Sequence, residues 1–369
     1  MKLTIARSAL LRLVASCQGV AEEKSALQAL SHVLLTAGDG TLRICATDTI
    51  VSADGSCAAD VKEQGSVALK ARELFTRVKA MPDGDVSFSV TAGGETIIKA
   101  SGGARKFSMY GLNGSDYPTL FAPKPDAITI DVPRVALSEL LARTDFAACK
   151  DMNRPNVNAV CLEFEDREIR AVATDGHRIS KATALANFGN NDATLVVPLK
   201  AVGTVRGLID RSTVETIAIT ISQPWALFKI DDVTIGAKLT DAAFPPYNQV
   251  IPKKSDHRAT VQRSALLDAI SAVSLAAGDR TSGVHVTLAA GFVRIEGRSA
   301  EKGNGFDEVP SDYEGAEVTV GLNAVYVEEV LKALDSADVT IGVTGELDPV
   351  VITPVGDDQF IAVVMPMRI

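Results

Sequence analysis

The chain has 369 residues, 46% of them hydrophobic, 22% charged and 5% aromatic, which excludes a disordered or collagen-like polypeptide and leaves room for two or three domains. Thirty-seven Lys and Arg against 46 Asp and Glu give a net charge of −9, so a uniformly basic nucleic-acid coat is excluded while a segregated basic surface is not. Five cysteines, odd in number and without C-x-x-C spacing, indicate neither a disulfide framework nor a zinc site and fit a reducing cytoplasm. The opening Met1–Arg7 has no apolar core of a secretory leader, and no apolar run approaches the ~20 residues of a membrane span, so a cytoplasmic chain without a membrane partner is expected.

In chain order, Arg7-Ser8-Ala9-Leu10-Leu11 opens the first predicted helix, with Leu10, Leu13, Val14 and Cys17 at i, i+3, i+4 and i+7 forming one buried stripe. A hairpin comes next, His32–Leu35 and Thr41–Ala46 across Gly38-Asp39-Gly40, and then Val67–Ala71 leads into a second helix. Asp116-Tyr117-Pro118 closes this stretch, and the Pro-containing segment 122–126 reads as a linker.

The same series then restarts. Arg134-Val135-Ala136-Leu137 stands 127 residues after Arg7, with Leu137, Leu140 and Leu141 as its stripe. Its hairpin is Val160–Phe164 and Glu168–Ala173, its second helix comes after Val197–Ala201, and Ala243-Phe244-Pro245 closes it. The triplet Ala46-Thr47-Asp48 returns as Ala173-Thr174-Asp175 at the same offset. After a second linker at 252–257, Arg263-Ser264-Ala265-Leu266-Leu267 begins a third copy, with Leu266, Ala269, Ile270 and Val273 buried, a hairpin across Ala289-Ala290-Gly291 and a helix after Val320–Ala324. Such self-similarity sets the architecture before any motif is read. The expectation is an α+β chain of three repeated domains, 1–122, 123–254 and 255–369, each a duplicated β-α-β-β-β unit.

Six predicted helical windows (7–15, 69–80, 134–150, 199–212, 263–280 and 322–335) together carry +6, leaving −15 for the remainder. Positive charge gathers on the helices, although Glu328 and Glu329 run against the trend in the third copy. By itself this pattern is also that of ordinary solvated helix faces.

Three signatures in order carry a family resemblance: Ala173–Ile179 (Ala-Thr-Asp-Gly-His-Arg-Ile), Phe244-Pro245-Pro246-Tyr247, and Val363–Ile369 (Val-Val-Met-Pro-Met-Arg-Ile). The chain resembles, from Met1 to Ile369, the bacterial DNA sliding clamps, the beta subunits of DNA polymerase III. The resemblance implies clamp (processivity-fold) domains, with helices lining a ring and sheets outside. It further implies a head-to-tail homodimer that encircles duplex DNA without sequence preference and no cofactor. The implied partners are an ATP-driven clamp loader, the polymerase III catalytic subunit, and other polymerases and repair proteins carrying clamp-binding peptides.

Carried over by position, the resemblance places a peptide groove between the second and third domains at Val157, Thr174, Gly176, His177, Arg178, Ile179, Pro245, Val250, Pro349, Val363, Val364, Met365, Pro366 and Met367. Adaptable Met side chains suit a surface that meets several partners. On composition alone Val363–Met367 reads more readily as a last core strand than as a binding floor. The second copy, however, has Gly-His-Arg after Ala-Thr-Asp where the first has Thr49-Ile50-Val51, so the shared fold does not require that cluster. Asn248-Gln249 departs from the family, which usually places an Arg there.

The implied DNA contacts are Lys24, Lys70, Arg72, Arg77, Lys150, Arg154, Lys200 and Arg206; closure of a ring needs only weak, sequence-independent contacts to phosphates. Lys24 comes after Glu22 and Glu23 where many clamps have an Arg-rich stretch. The implied dimer seam joins Phe107 and Met109 of one chain to Leu275 and Ala276 of another, and Arg105–Met109 alternates as an edge strand does. Catalysis is not expected: no nucleophile motif, HExxH, Walker loop or dinucleotide fingerprint accompanies Asp175 and His177, and four histidines do not suggest a metal site. The rival reading is a repeat-built, peptide-binding scaffold that never surrounds DNA.

Overall fold

The computed structural model describes every residue except 23–24, 92, 187–190 and 279–281. Among the described residues, six α-helices alternate with strands in the repeating order read from the sequence: α1 (Arg7–Gln18), α2 (Ala71–Lys79), α3 (Arg134–Ala142), α4 (Leu199–Ile209), α5 (Arg263–Ser274) and α6 (Ala324–Lys332). Each expected stripe is buried: Leu10, Leu13, Val14 and Cys17 on α1, Leu137, Leu140 and Leu141 on α3, and Leu266, Ala269, Ile270 and Val273 on α5. Complete burial of Leu10 makes Leu10→Ala a cavity-forming change of about 2–5 kcal/mol.

By packing, the chain forms two compact units, one of Met1–Arg134 with Lys200–Leu239 and the other of Val135–Leu199 with Thr240–Ile369. The middle repeat contributes to both, so packing and sequence repetition divide the chain differently. The first unit holds a nine-stranded antiparallel sheet in the order Leu112–Asn113, Gly65–Lys70, His32–Gly38, Thr41–Thr47, Val51–Ala58, Val233–Lys238, Trp225–Ile230, Thr216–Ser222, Ile128–Pro133. It also holds a five-stranded sheet, Asp60–Glu63, Lys2–Ala6, Asp85–Val90, Glu95–Ala100, Lys106–Tyr110. The second unit holds an eight-stranded sheet, Ala193–Pro198, Ala159–Glu165, Glu168–Thr174, Arg178–Leu185, Phe360–Val364, Val350–Pro354, Asp338–Val343, His257–Gln262. Its smaller sheet runs Gly303–Pro310, Phe292–Ser299, Gly283–Ala289, Val318–Asn323. In each long sheet, strands of successive repeats pair: Val51–Ala58 with Val233–Lys238, and Arg178–Leu185 with Phe360–Val364.

The arginine that opens each repeat has a structural use. Arg7 donates from Nη2 to the Lys79 carbonyl at 2.6 Å, Arg134 from Nε to the Val214 carbonyl at 2.9 Å, and Arg263 to the carbonyls of Ser336 (2.7 Å) and Leu331 (3.1 Å). A helix leaves its last carbonyls without intrahelical donors, and a guanidinium supplies several at once. Arg7 and Arg263 therefore close the ends of α2 and α6, while Arg134 holds the loop after α4 at Val214.

Candidate functional site

The Ala-Thr-Asp triplets build the same turn twice. Asp48 Oδ1 accepts from the backbone N–H groups of Ile50 (2.9 Å) and Val51 (2.6 Å), and Asp175 Oδ1 accepts from those of His177 (2.9 Å) and Arg178 (3.1 Å). Thr47 and Thr174 receive the N–H of residues 49 and 176 and donate to the carbonyls of Val51 and Arg178. The turn demands a left-handed residue in both places, Thr49 at φ 79° and Gly176 at φ 95°. The shared polar residues are therefore scaffold, and the two copies diverge only in the tripeptides after them, Thr49-Ile50-Val51 and Gly176-His177-Arg178.

Arg178 is only 4% exposed. Its guanidinium meets Asp175 Oδ2 (3.1 Å), the Phe146 carbonyl (2.6 Å) and the Glu329 carboxylate, and lies 4.3 Å from the Tyr326 ring centroid. A buried cation persists only when paired in this way. No sequence motif points to Phe146, Tyr326 or Glu329 as its partners; the Glu329 charge that ran against the helical trend is neutralised here. Glu328 pairs with Lys332 at 2.7 Å. Burial, followed by the nearby Asp175 charge, holds the Tyr326 phenol above its ordinary value.

Around this bolt the second unit assembles the expected groove residues. Arg178 and Ile179 pair in register with Val364 and Val363, and Ile179, Val363, Tyr247, Cys161 and Val172 share one buried cluster. Val157, Thr174 and Val364 are also buried, Pro245, Pro349, Pro366 and Met367 are half-buried, and Gly176, His177, Val250 and Met365 are exposed. Met365 N–H donates to the His177 carbonyl at 2.8 Å. Arg154 donates to the Asp175 carbonyl at 3.1 Å, which fixes the loop carrying Val157 beside the turn. A cleft of about 580 Å³ adjoins Pro245 and is lined by Glu163, Val196, Phe244, Tyr247, Asn248 and Gln249. Tyr247 Oη donates to Glu163 at 2.7 Å, and burial pushes the Cys161 thiol up to about 12.

The candidate DNA contacts scatter over several elements. Lys70 and Arg72 line an open depression of about 470 Å³ beside Gln18, Ser31 and Glu73. Glu73 takes Arg77 at 2.7 Å and Lys70 at 3.5 Å. Lys200 binds the Asp48 carboxylate, while Arg206 is half-buried on α4. Helix α3 ends at Ala142, so Lys150 is exposed on a loop rather than on the helix. Lys24 and Glu23 lie outside the described residues.

Of the seam candidates, Phe107 is half-buried and Met109 buried on Lys106–Tyr110, the outermost strand of the five-stranded sheet. Leu275, 76% exposed, and Ala276 come directly after α5 and neighbour the outermost strand Gly303–Pro310, where Phe306 is 61% exposed. Both strands offer a second edge to another chain.

This is a clamp fold repeated three times, an architecture of packed sheets and helices. Family models of the N-terminal, central and C-terminal domains of the DNA polymerase III beta subunit match residues 1–121, 131–246 and 248–368. The chain belongs to the DNA polymerase III beta subunit family and is a sliding clamp, a non-catalytic processivity subunit. It is 29% identical over 371 residues to the beta sliding clamp of Pseudomonas putida, with both chains covered completely. The crystal structure of the Pseudomonas aeruginosa DNA polymerase sliding clamp superposes with TM-score 0.93 at 27% identity over 100% of both chains. That of Bacillus subtilis gives 0.94 at 25% identity, covering 100% of this chain and 99% of the other. Membership across all three repeats does not favour the scaffold without DNA. No helix among the described residues is long and apolar enough to cross a membrane.

Proposed function

We propose that two copies of this chain join head to tail into a ring of six domains, 1–122, 123–254 and 255–369 in each, that closes around duplex DNA in the cytoplasm. Phe107 and Met109 on the strand Lys106–Tyr110 of one copy meet Leu275 and Ala276 of the other beside Gly303–Pro310, and the two open strand edges are the observation that carries this reading. Lys70, Arg72, Arg77, Lys150, Arg154, Lys200 and Arg206, with Lys24, supply sequence-independent attraction to phosphates, weak enough to permit sliding because enclosure provides retention. A loader opens the ring, and the polymerase III catalytic subunit, other polymerases and repair proteins insert peptides into the groove around Gly176, His177 and Met365. Clamp loaded onto nicked circular DNA is expected to stay until the circle is cut and then to slide off; equal retention on the linear product overturns encirclement.

A further inference from the structure

The segment Met365–Ile369 has three attachments in the second unit. Met365 N–H donates to the His177 carbonyl (2.8 Å) and Met367 N–H to the Gly321 carbonyl (2.9 Å). Between them Pro366 fixes its own φ and biases Met365 toward extended backbone. The third attachment is the Ile369 side chain. Gly321 lies diagonally across the sheet from Gly283, which pairs with Asn323 in register, so both face the same side of neighbouring strands. A Cβ at Gly283 would stand 3.1 Å from Ile369 Cδ1 and Cγ1; one at Gly321 would stand 3.0 Å from Cδ1 and overlap the Met367 carbonyl oxygen. Glycine inside a strand weakens it, and its use here marks a place where another backbone approaches closely. Two glycines thus leave a shallow recess against which Ile369 lies with one side, the other half of its surface remaining exposed.

We propose that Ile369 is a positioning residue for the peptide groove: seated over Gly283 and Gly321, it holds Met365 in place before a peptide arrives. The proposal rests on the groove being the peptide site. Without the seat, each incoming peptide has to order the segment as it binds, and affinity falls by that ordering cost.

The test is titration of the full-length protein with a fluorescent synthetic peptide carrying Leu and Phe anchors. Ile369→Ala is expected to weaken binding about tenfold with an unchanged melting temperature, and Ile369→Leu to restore it. Gly283→Ala is expected to weaken binding in the native background and to add nothing to Ile369→Ala, since the recess then has no occupant to displace. Wild-type affinity in Ile369→Ala, or fully additive losses in the double variant, overturns the positioning role. Removal of residues 365–369 separates the two readings: lost binding there beside an unaffected Ile369→Ala sinks only the seat, whereas unchanged binding in the truncation sinks the groove itself.

Discussion

Two seams inside this molecule continue a sheet from one repeat into the next, and they do so by the same rule with different chemistry. In the first unit, Val51–Ala58 pairs with Val233–Lys238; in the second, Arg178–Leu185 pairs with Phe360–Val364. At the first seam Asp48 takes Lys200 from α4, and the Lys200 side chain stays 47% exposed. At the second, Asp175 and Glu329 take the buried Arg178 across to α6, with Phe146 and Tyr326 on its faces. One seam is latched by a half-exposed lysine on a buried aspartate, the other by a buried cation. Only the second presents the exposed Gly176, His177 and Met365 next to its latch. A duplicated fold therefore supplies the seam, and the unduplicated residues after each Ala-Thr-Asp give the two seams different exposed side chains, Thr49 and Ile50 at one and His177, beside Met365, at the other.

Removing the latches should separate the seams most clearly. Arg178→Ala strands two carboxylates and is expected to cost about 3–5 kcal/mol in urea unfolding, whereas Lys200→Ala leaves the buried Asp48 its two backbone donors and is expected to cost about 1–2 kcal/mol. Equal costs would show that the latches are energetically alike. Exchanging the left-handed residues sharpens the comparison further. Thr49→Gly should relieve a strained backbone and gain about 1 kcal/mol, and Gly176→Ala should lose about as much by creating the same strain, both read from thermal midpoints. Opposite signs are the point of this pair; a shared sign would mean that the two turns are not equivalent.

The smallest expected difference concerns two buried tyrosines near the ends of the first and second repeats. Tyr117 donates to the His32 carbonyl and accepts from Thr47 N–H, both at 3.1 Å, whereas Tyr247 donates to Glu163. Burial raises both phenols well above their ordinary value of 10.0, with Glu163 adding to the effect at Tyr247. The unfolded chain then releases its phenolic protons first. Stability is complete below about pH 10 and falls as pH rises above it. Tyr117→Phe and Tyr247→Phe should each flatten that alkaline slope while costing about 1 kcal/mol at neutral pH.

Much of this was legible in the chain. Leu10, Leu13, Val14 and Cys17, and their counterparts at 137–141 and 266–273, have a period that only an amphipathic helix satisfies, and their recurrence fixes three copies of one module. The tripeptide Gly176-His177-Arg178 stood out because the first copy lacks it. The role of Arg178 was not. A sequence places an arginine near a motif but does not say that Glu329, 151 residues away, will neutralise it. Basic residues on the helices were similarly ambiguous: Arg7 and Arg263 cap helix ends and Arg134 holds a loop, uses that depend on which carbonyls are brought alongside. Nor does any local pattern connect Ile369 with Gly283 and Gly321.

Periodicity and repetition determined the elements and their order, because backbone geometry imposes its 3.6- and 2-residue periods on any chain that buries one face, and the three signatures carried the family resemblance. Tertiary structure alone decided which charges are solvated and which are bolts, and which glycines are seats. Those properties depend on desolvation and contact between residues far apart in sequence, and no local period encodes that distance.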